Sequence, residues 1–237
     1  MYFYSINQSL ANKWDITITG YLAGFKVGES SGTFEIKDNL YQLNMKSSTT
    51  GITKIIYPWV QTIAVTGKIV NGNLTPISYK IDDYRDDNKK GHMYINYTNN
   101  IPKIISAKPD ALKDSRRQVV PHELTINSVD PVTSIIVLGT LSSLNECNTK
   151  IAIYDGRRRF NLMYNNIEKD ENTLLCKLKI QRIAGYSKKE LAKHPKSGEI
   201  KLSIIDKNNS FYFPVEVKVP LSIGSFFVTL NANLIME

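Results

Sequence analysis

The chain has 237 residues, of which 42% are hydrophobic, and its formal net charge is +8. This length suits one large all-β domain or two small domains, and the core needs neither a metal nor a disulfide to hold it together. The most apolar stretch, Ser134–Leu141, falls short of the ~18 apolar residues that a membrane-spanning helix requires. The basic excess favours anionic partners, but the basic residues are scattered, which is typical of charge that serves solubility.

The first clear pattern along the chain is an alternation of apolar and polar residues. Trp14, Ile16 and Ile18 alternate with polar residues, and the same pattern returns at Phe34. A period of two with β-branched residues predicts half-buried strands. The preceding residues lack the basic and long apolar regions of an intact signal peptide. That leaves two alternatives, a cytosolic chain or a chain processed after export.

Between these strands a glycine occurs at every fourth position: Gly20, Gly24, Gly28 and Gly32. Lys26 and Glu29 lie within this segment and argue against a helix in a membrane. No Gly-Lys-Ser/Thr follows, so a phosphate-binding loop is also excluded. In a strand, residues four apart lie on one face. We therefore predict structural glycines, interrupted by a bend near Ala23–Gly24, that allow close packing rather than ligand contact.

The middle of the chain predicts more strands and three irregular segments. Asn71–Gly72 lies between two β-rich runs and predicts a hairpin. Ile55–Trp59 is apolar but contains a proline, and we interpret it as an edge or crossing segment. Asp82–Gly91 is highly charged and predicts a mobile turn, and Pro102–Leu124 predicts a long loop.

One main helix is predicted, from Pro131 to Leu144. Asp130 can accept hydrogen bonds from the free N–H groups of the first turn, and Pro131 suits the first helical position, so this pair forms the predicted helix cap. Apolar residues at helical spacing give the segment a buried face, and they are Ile135, Ile136, Leu138, Leu141 and Leu144.

Strands return after this helix, with predicted turns at Asp155–Gly156, Asn208–Asn209 and Gly224. The segment Gly185–Gly198 is polar and predicts a surface excursion with one helical turn. Neither a tandem repeat nor a linker divides the sequence. The prediction is therefore a single domain over residues 1–237.

Motifs for catalysis or metal binding are missing from the sequence. His92, His122 and His194 lie far apart, without the short spacing that zinc sites use. A Gly-x-Ser-x-Gly motif is absent as well. We therefore expect no metal, no cofactor and no catalytic residue. A hydrolase would require titratable groups to converge, such as His122 with Glu123 or Asp155.

The densest unusual stretch is the candidate contact site, Tyr154, Asp155, Gly156, Arg157, Arg158 and Arg159. One interpretation is structural: a type I′ turn at Asp155–Gly156 is flanked by arginines, one of which turns inward to a partner. The other is functional, a contact with an anion or a protein partner. We favour the structural interpretation.

The two cysteines, Cys147 and Cys176, leave two alternatives open. An even number is compatible with one disulfide in an oxidising compartment, and equally with two buried free thiols.

Four segments in order resemble a known family. They are GYLAGFKVGE, DPVTSIIVL, CNTKIAIYDGRRRFNL and CKLKIQRIAGY. Together they are similar to the glycine-rich hairpin, the "DPlsal" helix and the "fDGrrry" hairpin of a proteobacterial envelope family called domain of unknown function 3108. The resemblance extends from about Trp14 to Leu230 and includes both cysteines. It implies a periplasmic protein whose signal peptide is not in this sequence, without assigned catalytic residues.

The same resemblance implies a Cys147–Cys176 disulfide. Strand geometry adds a difficulty, because pairing Tyr154 with Arg157 places Cys147 opposite Tyr164 and a second turn near Lys169 places Cys176 opposite Leu162. The cysteines would then lie two strand spacings apart, about 10 Å, beyond the ~7 Å Cα separation of a disulfide. A bridge requires Cys147 to leave the sheet or the register to shift.

We predict an all-β fold, in which a long curved antiparallel sheet forms a half-open barrel or β-spiral around a central helix. The leading functional hypothesis is a non-enzymatic periplasmic protein that supports the cell envelope by binding an apolar ligand, such as a lipid, or a protein partner. It requires a cleft lined by aliphatic and aromatic residues. The alternatives are a pure interaction scaffold, which requires an exposed apolar patch or sheet edge, and an uncharacterised hydrolase. Nucleic acid is not an expected partner, because the basic residues form no stripe with interleaved aromatics.

Overall fold

A computed structural model describes residues 12–70, 73–85, 88–141, 147–193, 196–206, 211–221 and 224–235. These ranges contain thirteen strands and four short helices. The all-β class predicted from the alternating pattern is confirmed. Several expectations concern residues outside these ranges: the N-terminal segment before Asn12, His194, and the turn residues Asn71–Gly72 and Asn208–Asn209.

The strands before the main helix are β1 Asn12–Leu22, β2 Phe25–Lys37, β3 Leu40–Thr49, β4 Val60–Val70, β5 Asn73–Arg85, β6 Asn88–Thr98 and β7 Ile101–Lys108. Those after it are β8 Thr149–Tyr154, β9 Arg159–Lys169, β10 Thr173–Ala184, β11 Ser197–Asp206, β12 Phe211–Leu221 and β13 Gly224–Ile235. The helices are α1 Gly51–Ile56, α2 His122–Thr125, α3 Pro131–Leu141 and α4 Lys188–Lys193.

All described strands belong to one antiparallel sheet, which is barrel-shaped and nearly closed. Its order is β7-β6-β5-β4-β3-β2-β1-β13-β12-β11-β10-β9-β8. Consecutive strands therefore pair as hairpins, and β1 pairs with β13 in the middle of the sheet. The two ends of the described chain meet there, while β7 and β8 form the sheet edges.

The alternation in β1 shows which face is the core. Trp14 and Ile16 are buried, whereas Asp15 and Thr17, the residues that follow each of them, are exposed. Trp14 stacks on Phe34 of β2, with ring centroids 5.4 Å apart. Burying large aromatic side chains on one face is a main source of stability in such a sheet.

The buried side chains form two clusters, and α3 touches both. Ile136 belongs to the cluster built mainly on the first seven strands, and Leu138 to the cluster built on β8–β12. The helix contacts β5, β8 and β12. Thr133 of α3 also shares a buried hydrogen bond of 3.0 Å with the hydroxyl of Tyr41. That α3 is the centre of the barrel stays a prediction. The predicted end of the helix at Leu144 lies outside the described residues.

Three predictions about irregular segments were wrong. Ile55 and Ile56 end the short helix α1, so only residues 57–59 of the predicted edge or crossing segment are irregular. The charged segment Asp82–Gly91 continues β5 and β6 on both sides of residues 86–87. The predicted loop Pro102–Leu124 begins with the edge strand β7 and ends in α2. A bulge at Tyr94/Ile95 in the β6–β7 pairing breaks the period of two that would have marked β7.

Candidate functional site

The glycine-rich segment forms the β1–β2 hairpin. Ala23 and Gly24 form its turn, with φ angles of +49° and +87°, which is the left-handed region that favours glycine. The chain therefore reverses its direction completely at the predicted bend. Gly20 and Gly28 face each other across the hairpin, and Gly32 lies opposite Ile16. Three of the four glycines thus lie in strands, and the fourth makes the turn.

An apolar groove lies above the Gly20–Gly28 pair. Its walls include Ile18, Leu22, Trp59, Phe226 and Val228, and its volume is about 430 Å³. A Cβ at Gly20 would make an ordinary contact with the ring of Phe226 at 3.6 Å, whereas a Cβ at Gly28 would lie only 3.1 Å from the Ser48 carbonyl oxygen. We call this cavity the apolar groove. Aliphatic and aromatic walls of this kind suit an apolar ligand.

A second cavity, the basic pocket, lies against β5, β6 and the β8–β9 connection. Its volume is about 730 Å³, and its cationic side chains are Arg85, Lys90, Lys108, Arg157 and Arg158. Two carboxylates, Asp83 and Asp155, and four aromatic residues, Tyr57, Trp59, Tyr79 and Tyr84, also line it. The pocket therefore combines an excess of positive charge with aromatic walls.

Trp59 lines both cavities. Its backbone is fixed by Thr49, because the Thr49 N–H donates to the Trp59 carbonyl at 3.1 Å and the Trp59 N–H donates to Thr49 Oγ1 at 3.2 Å. Its indole N–H donates to Asp83 Oδ1 at 3.3 Å, and Gln61 Nε2 donates to the same oxygen at 2.8 Å. The indole is therefore held at the boundary between the apolar groove and the basic pocket.

The sequence-predicted contact site lies partly in the basic pocket, but its turn differs from the prediction. Tyr154 pairs with Arg159, so the β8–β9 connection has four residues and the predicted type I′ turn is wrong. Asp155 Oδ1 accepts the backbone N–H groups of Arg157 at 2.9 Å and Arg158 at 2.7 Å. Gly156 supplies a φ of +88°. A carboxylate that accepts N–H groups two and three residues ahead stabilises a longer turn than Asp-Gly alone suggests.

The three consecutive arginines have different surroundings. Arg158 forms ion pairs with Asp155 at 2.7 Å and Glu190 at 3.7 Å. Arg159 donates to the Leu124 carbonyl at 2.8 Å and to other backbone and amide oxygens of β9. Arg158 and Arg159 are therefore bound by partners within the protein, as the structural interpretation of this stretch requires.

Arg157 is different, because its guanidinium donates to the carbonyl oxygen of Pro109 and lines the basic pocket. Among the described residues it forms no ion pair with a carboxylate. Burial, followed by the positive charge of Arg117, lowers the pKa of Arg157. Of the three arginines, Arg157 is therefore the one available to an anion.

The predicted helix cap agrees in geometry. Asp130 Oδ1 accepts the N–H groups of Val132 at 3.0 Å and Thr133 at 2.8 Å, at the start of α3. Pro131 is the first residue of the helix. Asp130 is fully buried, and burial raises its pKa to about 6, against the opposing effect of the Thr133 and Val132 hydrogen bonds.

Cys147 and Cys176 are joined in a disulfide with a Cα separation of 6.2 Å, and both are fully buried. The register predicted from sequence was wrong, because Tyr164 pairs with Thr149 and Cys176 pairs with Asn166. Cys147 precedes the first residue of β8 and lies outside the strand. Both conditions named for the bridge are therefore met, because Cys147 lies outside the strand and the register is shifted.

The residues considered for hydrolysis lie in two separate parts of the fold, α2 and the β8–β9 connection. His122 and Glu123 are exposed in α2, and the side chain of Asp155 is occupied by Arg157 and Arg158. Within the described ranges, no group of three metal-ligating side chains is present. No described helix has the length and apolar character needed to cross a membrane.

Sequence reasoning missed the two cavities and the role of Trp59. The signal for the apolar groove was present in the paired glycines, but they were assigned only to packing. The basic pocket collects cations from β5, β6, β7 and the β8–β9 connection. Such distant positions come together only through sheet order, so no local motif marks them.

The chain belongs to the family described as protein of unknown function (DUF3108), whose model matches residues 13–231. This match covers nearly the whole chain and confirms the resemblance inferred from the ordered motifs. None of the curated proteins matches the chain significantly.

Proposed function

We propose that this DUF3108 protein is a non-enzymatic, periplasmic binding protein that supports the cell envelope by holding an apolar ligand in the apolar groove. The observation that carries the proposal is a cavity of about 430 Å³ beside the Gly20–Gly28 pair, with Leu22, Phe226 and Val228 in its walls. Protein interiors are close-packed, so a cavity of this size is a place where a ligand can be held. An apolar chain lying beside the glycine pair would gain dispersion contacts with these walls.

The disulfide supports the proposed location. Disulfides persist in oxidising compartments, including the bacterial periplasm, and are rare where thiols are kept reduced. Cys147 and Cys176 are both fully buried, so the bridge is part of the core of the second cluster. Export would also bring the protein to the compartment in which an apolar envelope component needs a carrier.

The test is native mass spectrometry of protein secreted into the periplasm and purified without detergent. We expect an additional mass that dissociates on collisional activation and is identified as a lipid or another apolar molecule. Gly20→Val places a branched side chain on the groove floor, where a Cβ has ordinary contact with Phe226, and should abolish the additional mass while the protein stays folded by circular dichroism.

Thr19→Val is the matched control, because the neighbouring side chain points to the opposite face of β1. It should retain the ligand. If the wild-type protein carries no apolar molecule and also takes up none when mixed with lipid vesicles, the proposed function is wrong.

A protein partner is the second candidate, and α1 is the observation that favours it. Ile52, Ile55 and Ile56 are 71%, 82% and 77% exposed, and none of the six helix residues is buried. Exposed aliphatic residues concentrated on one short element are typical of an interaction surface. Replacing these three isoleucines with serine should abolish periplasmic cross-linking to the partner without changing the ligand mass. An unchanged cross-linking pattern would contradict this candidate.

A further inference from the structure

We propose that the basic pocket binds the acidic head group, a carboxylate or phosphate, of an amphiphile whose apolar chain occupies the apolar groove. This inference rests on the proposed function and adds the chemical class of the ligand. Two observations carry it: the uncompensated cations of the pocket, and the position of Trp59 between the pocket and the groove.

The charges that line the pocket do not cancel. Of its five cationic side chains, Arg158 is compensated by Asp155 and Glu190. The other four form no ion pair with a carboxylate of the described residues, and they are Arg85, Lys90, Lys108 and Arg157. The second acidic group, Asp83, accepts from the neutral donors Trp59 and Gln61. A ligand with a negative charge would therefore enter a region of excess positive charge.

Arg157 is positioned to make the direct contact. Its backbone N–H is held by Asp155 at 2.9 Å, and its guanidinium is anchored on the Pro109 carbonyl. Keeping a partly buried guanidinium without a direct ion pair has a desolvation cost. A carboxylate or phosphate recovers that cost, and its paired oxygens match the planar fork of arginine.

Aromatic residues connect the charged region to the groove. Arg85 lies over the ring of Tyr57, 4.1 Å from the ring centroid, which keeps this cation at the pocket wall. Trp59 follows two residues later and contacts both cavities. An amphiphile that crosses Trp59 would present its head group to Arg157 and its chain to Leu22 and Phe226. A free phosphate would bind only in the basic pocket and leave the apolar groove empty.

The experiment uses the full chain, stripped of bound ligand, and four probes: laurate, dodecyl phosphate, dodecanol and inorganic phosphate. Affinities are measured by calorimetry at neutral pH. We expect each acidic amphiphile to bind at least about tenfold more tightly than dodecanol, as one charge-assisted contact provides. We expect inorganic phosphate alone to bind more weakly than either acidic amphiphile.

Arg157→Gln should lower the affinity for both acidic amphiphiles to near that of dodecanol and leave dodecanol binding unchanged. Lys179→Gln removes one positive charge from an exposed position of β10 outside the pocket. It should change neither the affinity for the acidic amphiphiles nor the affinity for dodecanol. Bromine on the chain quenches a tryptophan that it touches. Brominated laurate should therefore quench Trp59, and Trp59→Phe, which leaves the buried Trp14, should remove that quenching.

Equal affinities for laurate and dodecanol, or an Arg157→Gln protein that keeps the preference, would overturn the head-group site and leave apolar binding intact. Inorganic phosphate that binds as tightly as dodecyl phosphate would also overturn it, because the alkyl chain would then contribute nothing to the affinity. If neither laurate nor dodecanol binds, the proposed function and this inference both fail.

Discussion

The glycines of the first hairpin differ in the room around them. A Cβ at Gly32 would overlap the carbonyl oxygen of Asn44 and lie 2.7 Å from Cα of Met45. Both atoms belong to the backbone of β3 and cannot rotate away. A Cβ at Gly20 would instead meet only ordinary contacts. The same residue type therefore serves close strand packing at Gly32 and an open cavity floor at Gly20.

This difference predicts an order of stabilities. Gly32→Ala should lower the free energy of unfolding by about 2 kcal/mol or more, because overpacking against backbone forces the strands apart. Gly20→Ala should change it by less than about 1 kcal/mol, since the added methyl group fits. Urea unfolding followed by circular dichroism measures both. Equal effects of the two substitutions would show that Gly32 is not closely packed.

Asp130 is a buried residue whose ionisation predicts a pH effect. Its pKa is about 6 in the folded protein, against an ordinary value of 3.8. As the pH rises from about 4 to about 6, the unfolded chain has lost this proton while the folded protein retains it. The folded state binds more protons in this window, so the contribution of Asp130 to stability falls as the pH rises.

Asp130→Asn keeps an oxygen that can accept the Val132 and Thr133 N–H groups, and asparagine is a good helix cap, but it does not ionise. The wild-type protein should therefore lose on the order of 2 to 3 kcal/mol relative to this variant between about pH 4 and pH 7. Urea unfolding of the two proteins at several pH values measures the difference. A constant difference across that range would mean that Asp130 titrates normally.

Among the elements, the second half of the sheet depends on a covalent link. The disulfide joins Cys147, which precedes β8, to Cys176 in β10, 29 positions later in the sequence. Strand β9 lies between β8 and β10 in the sheet. β8 is an edge strand with a single neighbour, β9, among the described strands. An edge strand has fewer partners than a central one, so the link contributes most where the sheet is least supported.

Reduction of this disulfide should lower the free energy of unfolding by about 3 to 4 kcal/mol, as expected for closure of a loop of this length. The measurement is urea unfolding with and without a reducing agent. The double variant Cys147→Ala with Cys176→Ala is the control, and it should be insensitive to the reductant. A wild-type protein equally stable in both conditions would contradict a structural role for the bridge.

At the scale of the whole molecule, the two core clusters are joined by β12 and by α3. Phe213 of β12 lies in the first cluster and Tyr212 in the second, and in α3 Ile136 lies in the first cluster and Leu138 in the second. Elements that share side chains across two clusters favour a single cooperative transition. A single domain over residues 1–237, as predicted from the sequence, would also unfold in one cooperative transition.

Cooperativity can be tested with a probe in one half and a perturbation in the other. Trp59→Phe leaves Trp14, a residue of β1, as the remaining tryptophan of the two in the chain. Reducing the Cys147–Cys176 bridge should shift the midpoint of Trp14 fluorescence by the same amount as the midpoint of circular dichroism. A shift in circular dichroism with an unchanged Trp14 midpoint would indicate two independently unfolding units.

The sequence by itself determined the β class, the position of the turn between β8 and β9, the cap of α3 and the family. Each of these depends on residues close together in the chain. The alternation at Trp14 and Ile16 reflects a strand with one buried face, and the Asp130–Pro131 pair acts within one helical turn. The ordered motifs led to the family for the same reason, since each motif is local.

Only the tertiary structure decided the register of β8 and β9, the meaning of the glycine pair and the composition of the basic pocket. Asp155 accepts two N–H groups and lengthens the turn, so every pairing after it shifts. Arg85 and Arg157 lie 72 positions apart in the numbering yet line one cavity. Sheet closure brings such positions together, and its energy is spread over many backbone hydrogen bonds and buried side chains, so no short segment encodes it.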